Sequence, residues 1–122
     1  MKKKKADVSG VVKILEEVFP HGHPDFIPKS VAEMKLHSEK NHDYAFGGDA
    51  LGNFKRVADI LSHYPGLKLD DPPTVALIYM LKQLDAYLWI KSNGHAIKVE
   101  GIESRLGDVS VYSKLINILE KG

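Results

Sequence analysis

The sequence contains no cysteine. Disulfide frameworks, thiolate metal sites and cysteine nucleophiles are excluded by inventory alone. Long apolar runs are missing as well: the longest, Val75 to Leu81, covers seven residues, against the roughly 20 that a membrane-spanning helix requires. A secretory leader needs an apolar stretch soon after the basic start, but Ala6 to Val18 is interrupted by Asp7, Lys13, Glu16 and Glu17. A soluble, cytoplasmic protein is therefore expected. A strong charge of one sign is also lacking, since 17 basic residues face 16 acidic ones. Four of the bases form the block Lys2, Lys3, Lys4 and Lys5; the rest of the chain has 13 bases against 16 acids, a charge of −3. A fold that grips duplex nucleic acid presents a basic face. Here the remaining bases are scattered among acids, so nucleic-acid binding is disfavoured and residues 1–8 read as a solvated, disordered basic tip.

What is present suits one core. With 122 residues, 43% of them apolar, residues 9–122 are expected to form a single helical domain. Turn residues cut the chain into five segments of helical periodicity and none of strand alternation. The first, from about Ser9 to Phe19, carries Val11, Val12, Leu15, Val18 and Phe19 on one stripe and stops at Pro20. Residues His21 to Pro28 read as a loop. Ser30-Val31-Ala32-Glu33 has the pattern of a capping box and predicts a second helix from there to about Tyr44. Gly47 and Gly48 then break the chain, Asp49 is placed to cap a third helix bearing Leu51, Phe54, Val57 and Ile60, and Pro65-Gly66 closes it. Asp71-Pro72-Pro73-Thr74 opens a fourth helix running to about Ser92. Across Val75 to Ile90 its only strongly polar residues are Lys82, Gln83 and Asp85, the mark of a central helix. A fifth spans about Gly101 to Glu120. Short connections predict an all-α, antiparallel bundle of five helices.

Within that frame several polar groups invite chemistry. Lys82 and Asp85 lie three apart on one helix face, and burial makes them either a structural bridge or the wall of a polar pocket. Arg105 and Asp108 repeat that spacing on the last helix, with Tyr112 one turn beyond Asp108 on the same side, and a solvated face is expected there. The run Lys40-Asn41-His42-Asp43-Tyr44, followed by two glycines and by Asn53-Phe54, gathers polar side chains where one helix returns beside another. Asp43 suits a divalent cation or a ribose hydroxyl, Lys40 a phosphate, and Asn53 can orient either. Equally, Asp43 and Asn53 can simply cap and brace the loop.

Lys40-Asn41-His42-Asp43-Tyr44, then Asn53-Phe54 with Arg56 and Ala58, resembles small phage and prophage proteins grouped as nucleotide modification associated domains, which are similar to the all-α nucleoside triphosphate pyrophosphohydrolases of MazG type. The likeness continues through Lys82-Gln83-Leu84-Asp85 to Arg105-Leu106-Gly107-Asp108 and Tyr112, covering roughly residues 35–115. It implies a MazG-like bundle, often homo-oligomeric, that takes a nucleotide or nucleotide-like small molecule in the host cytoplasm, with a role in nucleotide or DNA-base modification. MazG-type enzymes converge four carboxylates on magnesium. This sequence departs from them: Glu33 and Glu39 are six apart, hence on different faces, and Glu103 and Asp108 are five apart. Asp43, Asp85 and Asp108 remain as expected Mg²⁺ ligands, with Lys40, Asp43, Asn53 and Lys82 expected at the nucleotide. No general base stands out. Two other classes stay open. His42-Asp43, with His21, His23 or His37 upstream and Asp85 or Asp108 downstream, superficially resembles the HD-type metal phosphohydrolases. A non-catalytic interaction module is the other, with Tyr87, Leu88 and Trp89 as part of an apolar contact face.

Overall fold

A computed structural model of the chain describes residues 8–45, 48–94 and 101–122. The expected basic tip, apart from residue 8, lies outside the described residues. Five helices and no strand occur among them: α1 (Val8–Val18), α2 (Phe26–Ala45), α3 (Gly52–Ser62), α4 (Pro72–Asn93) and α5 (Ile102–Glu120). The all-α architecture expected from the sequence is what forms. The chain divides into two units, residues 1–38 and 39–122, with the boundary inside α2.

In the first unit α1 follows its apolar stripe but buries no side chain. The turn after it is held by His23, whose Nδ1 accepts a hydrogen bond from the Asp25 amide at 3.1 Å. α2 then starts at Phe26, four residues ahead of the predicted capping box. Pro28 explains the difference: in the first turn of a helix its missing N–H would have had no partner anyway. Ser30 is thus already inside the helix, and its hydroxyl donates back to the Phe26 carbonyl at 2.8 Å instead of capping. Val31 is the buried apolar residue of this unit among the described residues.

In the second unit α4 packs against both α5 and α3, the central position its composition predicts. Its start is fixed by Pro72-Pro73 and by Thr74, whose hydroxyl donates to the Asp71 carboxylate at 2.9 Å. Its end is a left-handed Gly94, φ 65°, whose amide bonds the Ile90 carbonyl, a conformation glycine adopts without steric cost. The interior, however, is unusual. Among the described residues of this unit the buried apolar ones are Ala45, Ala86 and Ile90, whereas Asp43, Asn53, Thr74, Gln83, Asp85 and Arg105 are buried polar ones. Large apolar side chains on the same helices, Tyr79 and Leu88 of α4 and Val111 and Ile118 of α5, stay exposed. The second unit is therefore built around polar contacts, each of which must be satisfied to offset its desolvation.

Candidate functional site

The C-terminal turns of α2, the first turn of α3, the middle of α4 and the N-terminal half of α5 supply the buried polar groups. Arg105 joins three of these helices. It is 1% exposed and Asp43 is fully buried, with Arg105 Nη2 at 3.8 Å from Asp43 Oδ2. Arg105 Nη1 donates to Gln83 Oε1 at 3.0 Å and to the Tyr44 hydroxyl at 3.1 Å. The guanidinium also stacks on the Tyr44 ring, 4.6 Å from its centroid, and His42 Nδ1 stands 3.3 Å from Asp43 Oδ1. A buried ion pair of this kind seldom adds net stability, because desolvating two charges costs several kcal/mol. What it does is fix geometry: Tyr44 is held from below by Arg105. The solvated face expected for Arg105 is thus corrected, since Arg105 is among the most buried side chains of the fold. Charges at i and i+3 look identical in sequence whether they face water or a partner helix.

A second arginine repeats the design. Arg56 of α3 donates from Nε and Nη2 to the two oxygens of Asp85 on α4, at 2.7 and 2.8 Å, and lies over the Trp89 ring 4.2 Å from its centroid. Its hydrogen bonds to the Asp85 carboxylate hold the guanidinium pKa above its ordinary value, so this charge is permanent. Lys82 does not bridge to Asp85. It is exposed, and its ammonium lies 5.7 Å from the Tyr44 ring centroid. The Lys82–Asp85 bridge considered from spacing is replaced by Arg56–Asp85, a pairing across helices that no local spacing encodes.

Residues 49–51, just before α3, are braced from both sides. Asn41 Nδ2 donates to the Ala50 carbonyl at 2.9 Å. Asp49 does not cap α3, whose N-cap is Leu51. Instead its carboxylate accepts from the Leu51 amide at 2.9 Å and pairs with Lys55, an Asx turn one step ahead of the helix. The Lys55 ammonium, with the Leu51 amide, lowers the Asp49 pKa below the usual carboxylate range. Asn53 is 8% exposed in the first turn of α3.

The residues expected to hold Mg²⁺ are distributed as follows. Asp43 faces Arg105, Asp85 is gripped by Arg56, and Asp108 lies half-buried on α5 one turn beyond Arg105. Among the described residues, no group of three or more histidines, aspartates or glutamates is gathered around a point where a metal ion would sit. Of the residues expected at a nucleotide, Lys82 stands beside Tyr44 at the distance given above. Lys40, also exposed, is one helical turn before Tyr44 and so on its face of α2. Sequence reading passed over Arg56, Gln83 and Tyr44 as site residues. A compositional signal was there: the chain uses arginine only twice among its 17 basic residues. Both arginines stack on aromatic rings and bind aspartates, the tasks for which a planar guanidinium surpasses an ammonium.

Comparison with protein-family models, with curated proteins and with solved structures gave no match. Among the described residues no helix is long and apolar enough to cross a membrane. The chemistry of the polar groups carries the functional reading.

Proposed function

We propose that this chain is a nucleotide-binding helical protein of the MazG-like, phage-associated group, and that its phosphate grip is formed by Lys40 and Lys82 on either side of Tyr44. The observation that carries this reading is the stack at Tyr44: the buried Arg105, paired with Asp43, lies over the ring, and the exposed Lys82 reaches the same ring. A buried pair of charges that costs stability yet immobilises an aromatic ring beside the exposed Lys82 ammonium is better explained by ligand positioning than by folding. Mg²⁺ would arrive with the phosphates, one or two carboxylates completing its shell rather than a dedicated cage; Asp108, one turn from Arg105, is the carboxylate we assign to it. Hydrolysis, if the site turns over, would use water activated by that ion. The test is a thermal-shift series with ATP, dATP and the other deoxynucleoside triphosphates, with Mg²⁺ and with EDTA. Binding to the folded state raises the melting temperature by mass action. Unchanged melting across the series would reject the reading.

A second reading, self-association, is favoured by α1. Its Val11, Ile14 and Val18 are exposed, with Phe19 beyond its end, and an isolated helix of 11 residues is marginal in water. A second copy of the chain covering that stripe would supply the missing burial. Light scattering at two concentrations distinguishes a monomer from such an assembly.

A further inference from the structure

The cavity of about 580 Å³ between α3 and α4 falls in the roughly 300–1,000 Å³ range of small-molecule sites and is distinct from the Lys40–Tyr44–Lys82 rim. Its wall is the stacked pair Arg56 and Trp89. We infer that this cavity is a nucleobase-stacking subsite, with the outer face of the Arg56 guanidinium as its platform; the inference rests on the nucleotide reading above and supplies its base end.

Charge decides the ligand class. The charged residues lining the cavity are Lys55, Arg56, Asp59 and Asp85, two of each sign. Arg56 is already bound through two hydrogen bonds by Asp85, and Lys55 is paired with Asp49 outside the cavity lining. No excess positive charge is left to attract a phosphate, so the site suits a flat, uncharged ring. The platform suits it too. Both carboxylate bonds lie along the edge of the guanidinium, and Trp89 covers one face. The Arg56 side chain nevertheless keeps 32% of its surface exposed. A planar cation fixed in this way stacks on bases. Leu88 and Ile60, both exposed, form apolar sides, and the Asp59 carboxylate can accept from an exocyclic amine or ring N–H. The tryptophan itself points the same way. Trp89 Nε1 is buried and has no hydrogen-bond partner among the described residues. Phenylalanine would pack there without that penalty, and what indole adds is the strongest cation-binding face.

The test separates base from phosphate. Calorimetric titrations would use nucleosides that carry no phosphate (deoxyadenosine, deoxyguanosine, deoxycytidine and thymidine) and, as a phosphate-only probe, inorganic tripolyphosphate with Mg²⁺. Two variants accompany the native chain. Arg56→Lys keeps the charge but loses the flat face. Leu88→Arg, at an exposed position, puts a long side chain into the cavity. At least one nucleoside is expected to bind saturably and to weaken about tenfold or more in both variants, while tripolyphosphate binds all three proteins alike. Nucleosides that fail to bind, or that bind Leu88→Arg as well as the native chain, overturn the subsite; tripolyphosphate binding then leaves the phosphate grip standing. Nucleoside binding with no response to tripolyphosphate would overturn the grip and keep the subsite.

Discussion

α1 and α4 differ in what becomes of their apolar residues. α1 has a regular apolar stripe, and not one of its side chains is buried. α4 is apolar on nearly every side, yet most of what it buries is polar or small: Thr74, Gln83, Asp85 and Ala86 beside Ile90. The contrast teaches that hydrophobic periodicity specifies a helix but not what will cover it. In α4 the covered face is selected by two arginines from neighbouring helices, which need hydrogen-bond acceptors more than α4 needs its leucines removed from water. An unpaired buried charge costs several kcal/mol, whereas burying one leucine contributes about 1.5–3 kcal/mol.

The sharpest way to break this comparison is Arg105→Met. It takes the Arg105 charge away from the buried Asp43 carboxylate, which keeps His42 at 3.3 Å, and should cost about 3–5 kcal/mol in urea unfolding. Replacing Asp43 by Leu in the same chain should restore much of the loss, because it removes the carboxylate that lost its arginine. An Ile14→Asp change in α1, where Ile14 is 60% exposed, should stay within about 0.5 kcal/mol for the monomer. Equal costs at Arg105 and Ile14 would erase the distinction.

Arg56→Ala should cost less, about 1–2 kcal/mol, because the arginine side of the Asp85 pair is one-third exposed and solvent screens it. Gly48→Ala should fall near the same value, about 1–2 kcal/mol. A Cβ built there meets Trp89 Cζ2 at 2.7 Å, so the indole must shift. Thermal melts of the two variants rank them against Arg105→Met.

The smallest effect is electrostatic and lies in the loop. Asp49 has its pKa lowered by Lys55 and the Leu51 amide. A depressed carboxylate contributes stability that is complete above its unfolded pKa and is lost as pH falls through the folded value. The difference between the native chain and Asp49→Asn should therefore be level above about pH 5 and shrink below about pH 4. A difference that grows on acidification would reverse the sign and exclude the Lys55 pairing as its source.

How far the sequence could be read follows from the same physics. Helix identities and the central place of α4 were legible, because Pro72-Pro73, Gly94 and the apolar periods act locally. The start of α2 was not, because Ser30 through Glu33 matches a capping box equally well one turn inside a helix. For the candidate site, Lys40, Asp43, Asn53, Lys82, Asp85 and Asp108 all belong to the unit that holds the polar network. The partners of Asp43 and Asp85, however, come from 62 and 29 residues away, Arg105 and Arg56. Pairings over such separations are fixed by helix packing, and spacing within one helix carries no trace of them.

The grip around Tyr44 is tested most directly by calorimetric titration of Mg²⁺-dATP into the native chain and into a Lys40→Ala, Lys82→Ala double variant. Both side chains are exposed, so the fold should survive their loss. Saturable binding by the native chain that weakens about tenfold or more in the variant is the expected result. Equal affinity in the two proteins, or no binding by either, would contradict it.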